Sequence, residues 1–222
     1  MQTPADIDFL ATPHVGIDDW QYEMRREIQE IIPHVFLGPF SACKNISELQ
    51  QKGITHIMCF FDQAESRIFR TDTVAQHFNF QQYIVNDTIL QNLIQHFPTV
   101  SHTIDNITST GKVVLCCNGG MSRSPAFMVA YVMEKYDLDA IQAYQFVQAK
   151  RLCINPNDGF KCQLKEYEPI FRARRGVKEL SGENKRSRDG EDAESSKRLL
   201  RENSSGEQGE NVMTPGYSSM VM

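Results

Sequence analysis

Six cysteines stand in the 222-residue chain, and one of them, Cys117, is followed six positions later by an arginine. At the same offset the other five meet Leu49, Glu65, Ser122, Gly159 and Glu168. The segment from Val113 to Ala126 (VVLCCNGGMSRSPA) reads as an apolar strand, a glycine-bearing loop and the start of a helix. The backbone N–H groups of such a loop, Asn118 through Arg123, can converge on an anion, and the helix start adds partial positive charge. Gly119 and Gly120 place no side chain in the way of the curl, and Met121 and Ser122 complete it. The planar fork of Arg123 matches two phosphate oxygens. A thiol at Cys117 faces the helix end, the loop amides and the guanidinium, which favour the nucleophilic thiolate. Together these residues describe phosphoryl transfer through a cysteinyl-phosphate intermediate. Cysteine and arginine at this spacing carry little weight alone. The central glycine, the Ser122-Arg123-Ser124 cluster, the strand before and the helix after give the spacing its meaning. The plainer alternative is a buried cysteine followed by a surface arginine, and the surrounding pattern weighs against it.

Strands and helices must alternate to hold such a loop. Ile31–Leu37 reads as a short strand or strand pair limited by Pro33. Ile46–Lys52 suits a short helix ended by Gly53. Ile54–Phe61, Gln82–Val85 and Lys112–Cys117 read as strands, the first and last of them buried. Leu90, Leu93, Ile94, Phe97, Ile104 and Ile107 fall at helical spacing, with Pro98 expected to kink or divide the helix and Gly111 closing it. Further helices are expected over Ser124–Tyr136, Leu138–Lys150 and Gln163–Arg174. This alternation predicts an α/β domain with a mostly parallel central sheet flanked by helices, and ligands at the carboxyl ends of its strands.

The loop residues match the signature His-Cys-x5-Arg-Ser/Thr of the protein tyrosine phosphatases, and residues 24–174 resemble the small dual-specificity form of that family. The resemblance implies that Cys117 attacks phosphorus, that Arg123 binds the phosphoryl oxygens and that Ser124 helps the thiolate leave. It also implies an aspartic acid about thirty residues upstream that protonates the leaving oxygen, because an alkoxide or phenoxide leaves poorly otherwise. Asp87, between a strand and a helix, resembles that acid. Taken alone it reads as a helix-start or turn aspartate. Asn155-Pro156-Asn157 resembles the family element that supports the phosphate loop from behind. One departure is plain: Cys116 stands where the family has histidine. The resemblance implies that this weakens turnover without removing the nucleophile. A vicinal disulfide between Cys116 and Cys117 is a strained alternative. Outside the loop, Trp20–Glu30, Phe36–Pro39, Gly53–Ile57 and Arg151–Asn157 are similar to a pseudophosphatase branch of the family. There, glycine replaces the nucleophile and the protein binds phosphoproteins or regulators. The local chemistry of Cys117 thus points to a weak phosphatase and the wider similarity to an adaptor. The branch implies phosphorylated proteins as partners, with mitogen-activated kinases or ubiquitin-ligase adaptors among them. A sulfur-transfer enzyme is a third, remoter reading.

Composition bounds the rest. Residues 1–19 read as a loose lead-in, residues 20–175 as the phosphatase-like domain, and residues 176–222, rich in Ser, Gly, Asn and charge, as a disordered tail. The formal charge of −5 argues against a nucleic-acid partner. No apolar run approaches the roughly 18 residues of a membrane span. The first twenty residues show no secretory pattern, so reduced thiols in the cytoplasm or nucleus are expected. Lys185-Arg186 and Lys197-Arg198-Leu199-Leu200-Arg201 form either a bipartite nuclear-import signal or a solvated mixed-charge tail. His34, His56, His77, His96 and His102 show no metal spacing with the cysteines, so neither metal nor cofactor is expected. A monomer is the expected state.

Overall fold

The computed structural model describes residues 20–177. The lead-in and nearly all of the tail, including both basic clusters, lie outside the described residues.

Central to the fold is a fully buried strand, Val113–Cys117. Its β-branched and apolar residues suit a strand covered on both faces. Five strands form the sheet: β1 (Gln29–Ile32), β2 (Val35–Pro39), β3 (His56–Phe61), β4 (Asn79–Ile84) and β5 (Val113–Cys117). Their spatial order is β1-β2-β5-β3-β4. β1 pairs antiparallel with β2, and every other pairing is parallel. The expected strand pair around Pro33 is a hairpin whose turn residue His34 takes a φ of 72°. Register places Gly38 and Cys59 on either side of Cys116, and Pro39 beside Cys117.

Two cores follow from the period-two alternation of β3 and β5. On one face Met58, Phe60, Val113, Leu115 and Cys117 pack with residues of α4 (Phe97–Thr108), α5 (Arg123–Tyr136), α6 (Ala140–Lys150) and α7 (residues 158–177). On the other, Ile57, Cys59, Phe61, Val114 and Cys116 pack with Phe40, Cys43, Leu49 and Val74. Leu49 comes from α1 (Ile46–Gln51) and Val74 from α3 (Asp72–Ala75), while α2 (Gln63–Ile68), with no buried residue, follows β3 at its carboxyl end. The domain is therefore an α/β fold with a mostly parallel sheet between helical layers. Residues to Ala173 belong to one unit; of the second, Arg174–Met222, only residues 174–177 are described.

Several boundaries differ from the sequence reading. α4 begins at Phe97, and Pro98 sits in its first turn, where a missing N–H costs nothing, so it starts the helix and does not kink it. Leu90, Leu93 and Ile94 lie in the turns before it. α2 and α3 have no counterpart in that reading. α7 starts five residues early because the Asn157 side chain accepts the Phe160 N–H at 3.0 Å, a helix cap. Among the described residues no helix is long and apolar enough to cross a membrane, and no cluster of three or more metal-binding side chains occurs.

Candidate phosphate-binding active site

β5 ends at Cys117, which is 2% exposed, and its carbonyl accepts from Phe40 N–H at 2.9 Å. The chain then turns through Asn118, Gly119, Gly120, Met121 and Ser122 into α5. Gly120 has a φ of +63°, and a side chain there would collide with the Gly38 carbonyl group. Glycine is thus required on both conformational and steric grounds.

α5 is buried on nearly every side, which fixes its start against the sheet. Ser122 precedes it yet makes no side-chain cap. Its hydroxyl instead donates to Asp87 Oδ1 at 2.7 Å. The first amides of α5 therefore keep their capacity for an anion. Inside the loop, Ser124 Oγ donates to Cys117 Sγ at 3.2 Å. Ser124 is fully buried, so its hydroxyl is held at the sulfur.

Arg123 is buried as well, contrary to the surface arginine of the plainer alternative. Nη1 and Nη2 of its guanidinium both donate to the Glu65 carboxylate, Nη2 at 2.8 Å, and Nη1 also reaches Val85 O at 3.2 Å. Burial works against the Arg123 charge, but Glu65, together with Cys117 and Asp87, more than offsets it and raises the guanidinium above its ordinary value. Glu65 shows the converse balance. Burial pushes its carboxyl up, while Arg123, the Asp62 backbone and Asn118 bring it below its ordinary value. With the fork oriented from behind, the buried Nε is left without a hydrogen-bond partner, 3.8 Å from Asp87 Oδ2. That unsatisfied donor has the chemistry to pair with an anionic oxygen.

Asp87 lies at the rim of the same loop. Its Oδ1 accepts from Ser122 Oγ and, at 2.8 Å, from Asn157 Nδ2. The structure thus brings together Cys117, Arg123, Ser124 and Asp87. Asn155 contributes through its backbone, whose N–H donates to Met121 O at 2.7 Å, while its side chain accepts from Lys161. Cys116 is placed differently. It projects from the opposite face of β5, fully buried, with its sulfur 2.8 Å from that of Cys59. Burial pushes the Cys116 thiol well above its ordinary value. All six cysteines are free, and the opposed faces keep Cys116 from bridging to Cys117.

Three further residues support the loop: Glu65 and Arg151, which the sequence reading did not single out as site residues, and Asn157, which belongs to the Asn155-Pro156-Asn157 element expected to support it. Glu65 orients Arg123. Its visible signal was Asp62-x-x-Glu65 directly after β3, a capping box at the carboxyl end of a strand. Asn157 anchors Asp87. Arg151 is completely buried and donates from Nε to Gly120 O at 3.0 Å, from Nη1 to Glu27 O at 3.0 Å and from Nη2 to Arg25 O at 2.8 Å. Its Nη1 also bonds the Gln29 side chain. Its neighbourhood to Asn155-Pro156-Asn157 was the only local signal.

Residues 35–170 match the family model of the dual specificity phosphatase catalytic domain. The chain is 40% identical over 180 residues to the human serine/threonine/tyrosine-interacting protein, covering 79% of this chain and 80% of the relative. It is 32% identical over 164 residues to dual specificity protein phosphatase 22 of Xenopus tropicalis, covering 72% and 75%. The crystal structure of the human tyrosine phosphatase-like serine/threonine/tyrosine-interacting protein superposes with a TM-score of 0.63 over 66% of this chain and 98% of that one, at 40% identity. That of human DUSP28 superposes with a TM-score of 0.59 at 25% identity, covering 65% and 95%.

Proposed function

Because this chain belongs to the dual-specificity phosphatase catalytic-domain family, we propose that it binds phosphorylated serine, threonine or tyrosine side chains in the loop from Cys117 to Arg123 and hydrolyses them slowly. The Cys117 thiolate attacks phosphorus, so that an S–P bond forms and the ester P–O bond breaks. Asp87 gives its proton to the departing oxygen. Water then attacks the phosphocysteine and yields its proton to Asp87, the S–P bond breaks, and inorganic phosphate leaves. Arg123 Nε and the loop amides hold the charge on the equatorial oxygens. The observation that carries this reading is the Ser124 hydroxyl held 3.2 Å from Cys117 Sγ, where it stabilises the departing thiolate. Purified wild type should release phosphate from an aryl phosphate and Cys117→Ser should not; equal release by the two proteins would sink the proposal.

Cys116 favours a second reading. Where the family resemblance implies a histidine, a neutral thiol is sealed in the core behind the loop. On this reading the chain is a non-catalytic adaptor that captures phosphorylated partners, with mitogen-activated kinases or ubiquitin-ligase components as candidates and the cytoplasm and nucleus as its place of action. Capture of a phosphopeptide would then persist in Cys117→Ser and vanish in Arg123→Ala. Cys116→His, assayed beside the wild type with a melting curve to control for overpacking, separates the readings: a gain in turnover supports a slowed enzyme, and none supports the adaptor.

A further inference from the structure

Asp87 stands on a segment that has no helix or strand of its own. Residues 86–90 are exposed, and the chain returns to the core at Leu93. Such a stretch wanders unless other elements tie it down. A general acid tolerates little wandering, because a misplacement of about 1 Å can cost about a hundredfold in rate. What holds this segment is therefore part of how an acid at Asp87 would work.

The ties come from the start of α7. Gln163, half-buried on that helix, holds two backbone groups of the segment with one amide. Its Nε2 donates to Gln91 O at 2.8 Å, and its Oε1 accepts from Leu93 N–H at 2.6 Å. The two bonded groups flank Asn92, so the side chain pairs with the segment as a neighbouring strand would. From Gln91 the segment closes back on itself. Gln91 N–H donates to Thr88 O at 3.2 Å, and the Gln91 side chain accepts from Asn86 N–H at 3.1 Å. The place of Gln91 thus sets the place of Asn86 and Thr88, the two neighbours of Asp87. A second tie is steric: a Cβ on Gly159 would stand 2.3 Å from Ile89 O, so the glycine lets the segment lie directly on the helix start. Asn157 is the third, donating to Asp87 Oδ1 while its own Oδ1 accepts from Phe160 N–H. Ser122 also donates to Oδ1, which leaves Oδ2 to carry the proton. α7 itself is pinned by Phe160, Leu164 and Tyr167, all buried in the core.

We infer that Gln163 is a positioning residue for the general acid: by clamping Gln91 and Leu93 it holds Asp87 at the rim of the phosphate loop, oriented to protonate the leaving oxygen. The inference rests on the reading that Asp87 gives its proton to that oxygen. Gln163 touches no reacting atom, and its effect passes wholly through the backbone of the segment.

The test compares wild type, Gln163→Met, Gln163→Glu and Asp87→Asn in the full chain, after melting curves confirm folding. Methionine keeps the length of glutamine and suits a helix, but it makes neither hydrogen bond. Two substrates are used: phenyl phosphate, whose leaving oxygen needs a proton, and dinitrophenyl phosphate, whose leaving oxygen departs without one. The readout is the ratio of kcat/KM for the first substrate to that for the second. In Asp87→Asn the ratio should fall about a hundredfold, and in Gln163→Met about tenfold. Gln163→Glu keeps the acceptor for Leu93 N–H alone and should lie between Gln163→Met and wild type. Adding Gln163→Met to Asp87→Asn should change the ratio by less than about threefold, because the clamp then has no acid to place. Hydrogen exchange gives a second readout that needs no turnover: residues 86–93 should exchange about tenfold faster in Gln163→Met, with β5 and α5 unchanged. Faster exchange together with a lowered ratio supports the clamp. Unchanged exchange or an unchanged ratio, equal losses with both substrates included, overturns it, while a lowered ratio in Asp87→Asn leaves the acid reading standing. If Asp87→Asn keeps the wild-type ratio, or wild type turns over neither substrate, the acid reading itself falls, and the role of Gln163 falls with it.

Discussion

Cys116 and Cys117 are neighbours on one strand, yet the two faces of β5 make different chemical objects of them. On the back face Cys116 sits with Cys59 and Cys43 in an apolar core. Burial pushes the Cys59 thiol up, and a hydrogen bond to Cys116 together with burial pushes Cys43 well above its ordinary value. These are neutral thiols that act as small core residues. On the front face Cys117 is almost as buried, but a hydroxyl, a guanidinium and an uncapped helix start surround it. Exposure does not separate the two; the polar groups brought by α5 and α2 do. On the proposed reading, the reactivity of Cys117 follows from what the fold aims at its sulfur, not from how far the sulfur is from water.

Substitutions can break or sharpen that contrast. The largest effect on activity is expected from Arg123→Ala, which removes the front-face cation: kcat/KM for an aryl phosphate should fall about a thousandfold. Steady-state kinetics checks this. Arg151→Ala should lower stability by about 3 kcal/mol, because several carbonyl groups lose a buried donor at once, and Arg151→Lys should recover only part, since an ammonium cannot reproduce the fork. Urea unfolding measures both. Glu65→Gln should cost about 1–2 kcal/mol near neutral pH by weakening the Arg123 pair. The pH dependence follows from the sign of the shift. Glu65 is held below its ordinary value in the folded chain, so its contribution is full above the usual glutamate range and is lost as pH falls through the lowered value. The gap between wild type and Glu65→Gln in urea midpoint should therefore close in acid. Cys116→Ala should have the smallest effect, about 1 kcal/mol of stability and less than a threefold change in kcat. A large loss of activity there would place Cys116 in the chemistry and erase the distinction between the faces.

Legibility in the sequence followed the range of the interactions. β5, the loop and α5 could be read because strand, glycines and helix are contiguous and their periodicities are strong. Asp87 could be proposed only through the family resemblance, since alone it reads as a helix-start or turn aspartate and its anchors Ser122 and Asn157 are remote in sequence. α2 and α3 were illegible because six and four residues are too few to show a helical period, and neither has the closing glycine that marked the equally short α1. The start of α4 was misplaced because Leu90, Leu93 and Ile94 mimic helical spacing in a turn region. There Ile89 and Leu90 stay exposed, and Ile89 packs by its backbone onto Gly159. Glu65 and Arg151 were illegible as site residues for another reason. Their partners lie 58 and 31 residues away, and their side-chain types are those of any solvent-facing helix. Only the fold shows that both are turned inward onto the phosphate loop.

The most direct measurement is to mix wild-type protein with excess aryl phosphate, quench in acid within one turnover and map the protein by mass spectrometry. The expected result is a mass increase of one phosphoryl group on the peptide containing Cys117, absent in Cys117→Ser and unchanged in Cys116→Ala. Phosphate release without any trace of that modification, or a phosphoryl group found on another residue, would contradict the account.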